Sequence, residues 1–366
     1  MSTDPMFVTA DASARRNAAV VARVLVVGLG SIGQRHLRIA RSLFPDARFA
    51  VLRSNRMATA VGGDVEPVDV VFTIDDALRF APTVAVIASP ASFHADTAIR
   101  LAEAGVHLLI EKPITDSLET SLAIAAAAER SGVTVAVGYN LRFAPSLLAF
   151  RAAVGEALVG RILSIRADVG QFLPDWRPGR DYRTSVSAQR TLGGGALLEL
   201  SHEIDYLTWI FGEVVEVSAL LEQTCSLDVD VEDCVHLTLR FADRAGIRAP
   251  VAQVNVDFVR RDTVRRCVAI GERGTLEWDA VQGTVRHFDG DTRTWRVLFD
   301  EPAERDASYR AEWLDLRDCI ASGGTPRADV AAGVAVLRIV DAARRSAQTG
   351  TRVALTADRL GTDGEA

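Results

Sequence analysis

Between Val24 and Gly138 the chain alternates short apolar runs, rich in β-branched residues, with amphipathic stretches of helical period. Near-continuous apolar runs are typical of strands buried on both faces, as in a parallel sheet. Regular strand–helix alternation of this kind predicts a doubly wound α/β domain. The predicted strands are Val24–Val27, Arg48–Leu52, Val68–Phe72, Val84–Ala88, Val106–Ile110 and Val133–Val137, and the predicted helices are Ile32–Leu43, Asp75–Arg79, Phe93–Ala104 and Leu118–Arg130.

After Asn140 the pattern changes, and beyond Gly212 the apolar positions recur with period two. Val235, Leu237 and Leu239 share one strand face, which predicts strands with one side packed and the other open. A helix is expected to run from the three glycines at 193–195 to Phe211. We therefore predict a second α/β domain with a large open, mostly antiparallel sheet.

The length of 366 residues also favours two domains, because single domains usually contain roughly 100–200 residues. We place a flexible tail at 1–20, a Rossmann domain at 21–142 and the second domain at 143–366. The net charge of -7 gives no support to nucleic acid or an anionic membrane as the main partner.

The four cysteines show no CxxC spacing and no nearby histidine cluster, so neither a disulfide framework nor a zinc or other metal site is expected. No apolar run reaches the ~18 residues of a membrane span. No signal-peptide cleavage site fits the first residues. These features together predict a cytoplasmic protein.

The first predicted strand leads directly into a glycine-rich turn, in the segment VLVVGLGSIGQRH. Gly28, Gly30 and Gly33 have the G-x-G-x-x-G spacing within one βαβ unit, which indicates a dinucleotide-binding turn. Gly28 permits the tight turn, Gly30 lets the backbone approach the pyrophosphate, and Gly33 allows close helix–strand packing. The alternative is a purely structural glycine turn.

About 20 residues further on, NAD enzymes carry an acid that binds the ribose 2′-hydroxyl. Here the second strand ends in RFAVLRSNR, so the expected position holds Arg53, followed by Ser54. A cation and hydroxyl groups suit a 2′-phosphate, so NADP is favoured over NAD. The alternative is that Arg53 and Arg56 are solvated surface charges.

Two further segments carry candidate chemistry. The first, IEKPI, places Lys112 at the end of a predicted strand, where open α/β sheets bind ligands. The second, GGGALLELSHEIDYLTWIFG, places Glu199, His202 and Asp205 three residues apart on one predicted helix.

Together, GLGSIGQRH, SPASFH, AIRLAEAGVHLLIEKPI, GYNLRFAP and GGGALLELSHEID resemble the glucose–fructose oxidoreductase / inositol dehydrogenase / rhizopine catabolism (Gfo/Idh/MocA) family. The resemblance is specific from about Val24 to Gly212. It implies NAD(P)-dependent hydride transfer to or from a sugar-like substrate, with the second domain binding substrate. It also implies homodimers or homotetramers formed through the C-terminal sheet.

The resemblance assigns catalytic roles to Lys112 and His202, which we expect to converge beside the nicotinamide ring. In the family, an aspartate precedes that histidine by four residues. In this chain the fourth residue before His202 is Leu198, and the acid is Glu199, three before. Either Glu199 replaces the aspartate, or the catalytic pair is Lys112 and His202 alone.

The remaining site predictions concern cofactor and substrate contacts. His94 either contacts the cofactor or caps a helix or packs nearby, and Asp205 is either a substrate ligand or an acid on the helix surface or in the packed interior. The expected cofactor contacts are Gly28, Gly30, Ser31, Ile32, Gly33, Arg53, Ser54, Ser89, Pro90, His94, Glu111 and Lys112, and the expected substrate contacts are Tyr139, Asn140, Arg142, Trp176, Arg177, Arg180, Tyr182 and Asp205.

The segment PDWRPGRDYRTS is rich in arginine and precedes the predicted catalytic helix. Guanidinium groups bind phosphate and carboxylate with two parallel hydrogen bonds, so an anionic substrate such as a nucleotide sugar or sugar acid is a hypothesis. The alternative is an ion-paired loop or a contact between subunits.

Two other functions compete with a dehydrogenase or reductase. One is a cofactor-binding sensor or regulator without turnover, which would not need Lys112 and His202. The other is an enzyme that keeps its cofactor and oxidises and reduces in turn.

Overall fold

The computed structural model describes residues 21–53, 68–243, 246–302 and 304–355. The chain divides into two compact units. The first contains Met1–Phe143 and Glu304–Val334, and the second contains Ala144–Ala303 and Ala335–Ala366. The predicted boundary after residue 142 lies one residue from this division, but the segment Glu304–Val334 belongs to the first unit. The predicted tail at 1–20 lies outside the described residues.

The first unit is built on a six-stranded parallel sheet with the order β3-β2-β1-β4-β5-β6. The order reverses between β1 and β4, and such a switch point is where open α/β sheets bind ligands. The strands are β1 Arg23–Val27, β2 Arg48–Leu52, β3 Asp69–Val71, β4 Val84–Ile87, β5 His107–Ile110 and β6 Val135–Val137; the helices are α1 Ser31–Leu43, α2 Ile74–Arg79, α3 His94–Glu103 and α4 Leu118–Ser131.

Local sequence explains where these helices start and stop. The Thr73 side chain accepts the amide of Asp76 at the start of α2, and the Ser117 side chain does the same for Thr120 at the start of α4. Such N-caps satisfy amides that have no partner within the helix. The apolar runs of β1, β4 and β5 are almost completely buried, which confirms the predicted parallel sheet.

The second unit is built on a nine-stranded sheet with the order β14-β13-β12-β11-β7-β10-β9-β8-β15. All neighbours are antiparallel except β7 and β10, so the prediction of a large, mostly antiparallel sheet is confirmed. The strands are β7 Ile162–Gly170, β8 Val214–Glu222, β9 Cys234–Phe241, β10 Val251–Asp257, β11 Val264–Gly271, β12 Gly274–Asp279, β13 Thr284–Asp289, β14 Thr294–Asp300 and β15 Val353–Ala354; the helices are α5 Pro145–Gly155, α6 Ala196–Glu199 and α7 His202–Phe211. Two further helices follow β14 in the chain: α8 Ala307–Ser322 belongs to the first unit, and α9 Val330–Thr349 begins in the first unit and continues in the second.

Four elements differ from the sequence prediction. The helix expected from residue 193 to 211 is two helices, α6 and α7, because Leu200 ends α6 with a backbone (φ -100°, ψ 27°) outside the helical range. β8 and β15 were not predicted. α8 follows the second sheet in the chain, yet its Trp313 and Leu316 belong to the core of the first unit.

Within the described residues, no helix is both long enough and apolar enough to span a membrane.

Candidate active site

The glycine turn lies at the switch point of the parallel sheet. Gly28 follows β1 with φ +84°, and a Cβ there would lie 2.9 Å from the Ala88 carbonyl oxygen and the Ser89 amide nitrogen. A Cβ on Gly33 would lie 2.1 Å from the Gly28 carbonyl oxygen. Both positions therefore accept only glycine, as the spacing predicted.

Gly30 differs from its two neighbours in the motif, because a Cβ there would meet nothing within 4 Å. It precedes α1 with no side-chain cap on the helix, so the first amides of α1 remain available. Amides at a helix N-terminus, with the positive end of the helix dipole, bind phosphate groups. The open space at Gly30 thus fits a pyrophosphate, which Ser31 and Ile32 would border.

Ser89 follows β4 on the other side of the switch point. Its Oγ is buried and has no hydrogen-bond partner among the described residues. A buried hydroxyl without a partner is costly, and a polar ligand atom would satisfy it. This observation fits a dinucleotide in the crevice beside Ser89 and Pro90.

Arg53 follows β2 and is partly exposed, and its backbone amide donates to the Val71 carbonyl. Its guanidinium forms no ion pair with any described residue. Ser54, Asn55 and Arg56 lie outside the described residues, so the interpretation of this segment as a 2′-phosphate site stays a prediction.

His94 is buried and joins two of the loops at this edge of the sheet. Its Nε2 lies 2.7 Å from the Ser89 carbonyl oxygen and its Nδ1 lies 3.1 Å from the Ile114 carbonyl oxygen. Burial lowers the pKa of His94, so the neutral ring is favoured. These contacts pack His94 between the two loops, and its predicted contact with the cofactor stays a prediction.

Lys112 lies just beyond β5 and is partly exposed, and its peptide bond to Pro113 is cis. It is the only lysine in the chain: of the 41 lysine and arginine residues, all the others are arginines. Lysine can lose its proton near neutral pH in a suitable environment, and arginine cannot. The composition of the sequence therefore also indicates a catalytic role for Lys112, independently of the motif in which it lies.

Glu111 is buried, and both of its carboxylate oxygens have partners. Oε1 lies 2.8 Å from His36 Nε2, and Oε2 accepts the Lys112 amide at 3.1 Å. Burial alone would raise the pKa of Glu111, but the hydrogen bond from His36 and the charge of Lys112 outweigh it, so the pKa lies below its usual value. The described contacts of Glu111 are internal, and its predicted contact with cofactor stays a prediction.

Trp313, on α8, completes this cluster with an indole N–H that donates to His36 Nδ1 at 3.0 Å. Sequence reasoning missed this residue because it belongs to a helix about 200 residues downstream of Glu111 with no recognisable motif.

The segment after β6 is buried within the first unit. Asn140 donates to Ser308 Oγ at 2.9 Å, and the Arg142 guanidinium donates to the Arg327 carbonyl oxygen. These two side chains therefore tie the strand end to the segment that contains α8. Their predicted substrate contacts, like that of the fully buried Tyr139, stay predictions.

In the second unit, α6 begins at Gly195, which has φ +108°. A Cβ on Gly195 would lie 2.3 Å from Glu232 Oε1. That same oxygen accepts the Leu197 amide at 3.1 Å, and the Glu232 carbonyl oxygen accepts the Ala196 amide at 3.0 Å. Burial raises the pKa of the Glu232 carboxyl. Sequence reasoning also missed Glu232, which caps the first of the two helices.

His202 begins α7 and is buried, with 8% of its surface exposed. Asp205 is completely buried, and its predicted contact with substrate stays a prediction. The buried neighbour Glu203 forms an ion pair with Arg265 (Nε–Oε1 3.0 Å). Glu199 ends α6 and is partly exposed, so a break in the helix separates it from His202.

A pocket of about 100 Å³ lies beside the arginine-rich segment of the second unit, between Leu173 and Ser187. Arg177 and Arg180 line it, both are exposed, and neither guanidinium forms an ion pair with a described residue. Arg183, by contrast, is paired with Asp181 at 2.8 Å. Among the described residues, the loop is therefore ion-paired at Arg183 only, and the guanidiniums of Arg177 and Arg180 can bind an anion.

Two aromatic residues fix this loop to the second unit. The Trp176 indole donates to the Gln171 carbonyl oxygen at 3.0 Å and packs edge-on against Phe258. The Tyr182 hydroxyl accepts the Asp228 amide at 3.1 Å. Both line the pocket, so their contacts hold its wall in place.

A parallel sheet with a glycine turn at its switch point, joined to a second α/β unit, defines a dinucleotide-binding protein of two units. The NAD-binding Rossmann-fold model of the Gfo/Idh/MocA oxidoreductases matches residues 22–139, and the model of their C-terminal alpha/beta domain matches residues 151–355. The chain belongs to the Gfo/Idh/MocA oxidoreductase family, which confirms the resemblance and the predicted fold class.

Similar proteins include levoglucosan dehydrogenase of Pseudarthrobacter phenanthrenivorans, which is 32% identical over 183 residues. That alignment covers 43% of this chain and 46% of the relative, so the chain matches about half of the relative's length. Myo-inositol dehydrogenase Hyg17 of Streptomyces leeuwenhoekii is 27% identical over 338 residues, covering 90% of this chain and 98% of the relative.

The crystal structure of the WlbA dehydrogenase from Bordetella pertussis, in complex with NADH and UDP-GlcNAcA, has the same fold. The TM-score is 0.77 with 23% sequence identity, over 92% of this chain and 99% of that one.

Proposed function

We propose that this protein is an NAD(P)-dependent dehydrogenase or reductase that acts on a CH–OH carbon of a sugar-like substrate. The observation that carries the proposal is the chain's only lysine, at the end of β5 in the sheet whose glycine turn fits a pyrophosphate. The names of the relatives, which are levoglucosan and myo-inositol dehydrogenases, support the same class of reaction.

The nicotinamide, when bound, supplies the hydride acceptor or donor. Oxidation of an alcohol also requires removal of its O–H proton, and a positioned acid or base accelerates such a transfer by ~10²–10⁴-fold. Lys112 and His202 together hold and move this proton at the substrate oxygen, which requires that both reach the same hydroxyl. Glu199 either orients His202 or takes no part.

Replacing Lys112 tests the proposal. Lys112→Met and Lys112→Arg should both reduce kcat by about 100-fold or more, while the Kd for NADH stays within a few-fold of the unchanged protein. The assay follows nicotinamide absorbance with a panel of sugars, cyclitols and nucleotide sugars. Arg100→Met, an exposed change on α3, is the control and should leave turnover unchanged.

Binding of NADH without turnover on any compound of the panel would instead favour a cofactor-binding regulator. Turnover without release of free reduced cofactor would favour an enzyme that retains its cofactor between two half-reactions.

For the cofactor, we propose NADP with NAD as the alternative, because Arg53 stands where NAD enzymes carry an acid. The ratio of KM values for NADP and NAD tests this choice. Arg53→Ala should raise the KM for NADP and leave that for NAD unchanged, and a clear preference of the unchanged protein for NAD would contradict it.

For the substrate, we propose an anionic sugar derivative that Arg177 and Arg180 bind in the pocket of the second unit. The ligand of the WlbA dehydrogenase, UDP-GlcNAcA, is an anion of this class and agrees with the proposal. Arg177→Ala and Arg180→Ala should each raise KM about 10-fold for a phosphorylated sugar and leave KM for a neutral sugar unchanged. Arg183→Ala, in the ion-paired part of the loop, is the matched control.

A further inference from the structure

A series of three hydrogen bonds, the first two of them buried, ends on the backbone of Lys112. The Trp313 indole N–H donates to His36 Nδ1 at 3.0 Å, His36 Nε2 lies 2.8 Å from Glu111 Oε1, and Glu111 Oε2 accepts the Lys112 amide at 3.1 Å. His36 is completely buried, and Trp313 and Glu111 are 1% and 7% exposed. The series is therefore shielded from water from Trp313 to Glu111, and it becomes partly exposed only at Lys112.

The indole of Trp313 determines which groups donate and which accept in this series of hydrogen bonds. An indole nitrogen can only donate, so His36 Nδ1 must accept and carries no proton. The ring proton of the neutral histidine then lies on Nε2 and is donated to Glu111. The Glu111 carboxylate is held by this donor on one oxygen, which leaves the other oxygen directed at the Lys112 N–H.

A carboxylate in this position is not explained by packing alone. Burying a charge is costly unless hydrogen bonds compensate for it, and an apolar residue would fill the same space at lower cost. The one backbone amide that Glu111 binds belongs to the residue with the candidate catalytic amine. Fixing that amide restricts the backbone from which the Lys112 side chain projects.

We propose that Trp313 and His36 are positioning residues: through Glu111, they fix the backbone of Lys112 for proton transfer. This inference rests on the proposed function of Lys112, and it extends that function to a helix outside every motif of the cofactor site.

The single lysine allows a direct test. Protein labelled with nitrogen-15 only at lysine gives one backbone amide signal, that of Lys112, which reports its hydrogen bond to Glu111. Trp313→Phe keeps a ring at this position but removes the donor to His36. We expect the Lys112 amide proton to move upfield and to exchange with solvent faster, because its hydrogen bond is weakened.

Trp278→Phe is the matched control for this measurement. Trp278 is another fully buried tryptophan, and its indole donates at 3.0 Å to Ser146 in the second unit. Its loss removes an equivalent hydrogen bond and should leave the Lys112 amide signal unchanged. An unchanged Lys112 signal in Trp313→Phe would overturn the proposal whatever the activity.

Turnover tests the consequence. Trp313→Phe should lower kcat about 3- to 10-fold, the effect of one hydrogen bond, with KM for the cofactor within twofold. His36→Leu should lower kcat further, and His36→Gln should recover part of the loss, because its amide N–H can donate to Glu111. In the His36→Leu background, Trp313→Phe should have no additional effect on kcat.

Two outcomes separate this proposal from the function on which it rests. If Lys112→Met abolishes turnover but Trp313→Phe and His36→Leu leave kcat unchanged, the positioning role is wrong and the catalytic role of Lys112 stands. If Lys112→Met retains turnover, the proposed function itself is wrong. If Trp313→Phe fails to fold, His36→Leu and His36→Gln test the proposal instead, through the Lys112 amide signal and through kcat.

Discussion

The three glycines of the turn have different physical requirements. Gly28 needs a positive φ and Gly33 has a carbonyl oxygen where a Cβ would be, so both are needed by the folded chain itself. Gly30 has an ordinary φ of -67° and open space around it. The chain alone therefore does not require glycine at this position, which points to a ligand.

Gly30→Val should accordingly separate folding from binding. We expect the free energy of unfolding to change by less than about 0.5 kcal/mol, because nothing within 4 Å meets the new side chain. The Kd for NADH should rise about 10-fold or more, since the side chain occupies the space of the pyrophosphate. Fluorescence titration and urea unfolding measure the two quantities. Gly155→Val, at an equally open glycine outside the turn, should change neither.

The buried Glu111 predicts how stability depends on pH. Its pKa in the folded chain lies below the ordinary value of 4.5. A carboxyl with a lowered pKa stabilises the folded state above its unfolded pKa, and this contribution is lost as the pH falls through the folded pKa.

Glu111→Gln should therefore cost about 1–3 kcal/mol at pH 7, and the difference from the unchanged protein should narrow as the pH is lowered past about 4.5. Urea unfolding of both proteins at several pH values measures this difference. Glu103→Gln, at an exposed ion pair, is the control and should show little difference at any pH. A constant gap for Glu111→Gln down to pH 3.5 would contradict the assignment of a buried carboxylate.

At the scale of elements, the start of α6 in the second unit depends on Glu232, which lies in the connection between β8 and β9. Gly195 has a backbone conformation that side chains rarely adopt, and Glu232 comes close enough to cap α6 only because no Cβ intervenes. This arrangement fixes the start of the two-helix segment that carries His202.

Gly195→Ala should lower the free energy of unfolding of the second unit by more than the strain of a positive φ alone accounts for. Both Gly195 and Gly132 have a positive φ, but only a Cβ on Gly195 meets another group, Glu232. We expect Gly132→Ala to cost about 1 kcal/mol from strain and Gly195→Ala to cost about 2–4 kcal/mol. Adding Glu232→Ala should not restore stability, because the cap is then lost as well. Equal costs in urea unfolding for the two glycine changes would contradict this account.

At the scale of the whole molecule, we propose a homo-oligomer formed through the open face of the nine-stranded sheet. Trp295 and Val297 on β14 are 47% and 58% exposed, and Trp295 packs against Phe288 of the neighbouring strand. Exposed apolar patches on a sheet commonly mark contacts between proteins.

Val297→Arg should shift the protein to a smaller species, because it replaces an exposed apolar side chain with a second cation opposite Arg286. Val281→Arg, in the turn between β12 and β13 and 52% exposed, is the matched control and should leave the mass unchanged. Light scattering after size-exclusion chromatography gives the mass of each protein. A monomeric unchanged protein, or a Val297→Arg oligomer of unchanged mass, would contradict the proposed interface.

The sequence by itself determined the parallel sheet, the glycine turn and the mostly antiparallel second sheet, because each depends on local periodicity or on spacing within one strand–turn–helix unit. It also placed Lys112 at the end of β5 and His202 on a helix, from short motifs. These features follow from interactions between residues close in the chain.

Only the tertiary structure decided that α8 belongs to the first unit, that Trp313 contacts His36, and that Glu232 caps α6. In each case the contacting residues are separated by tens to hundreds of positions in the chain. No periodic pattern in the sequence indicates which distant side chains become neighbours. The sequence also did not predict the break at Leu200, because the apolar pattern continues through this residue although its backbone leaves the helical conformation. Long-range packing selects such contacts, and the local sequence only permits them.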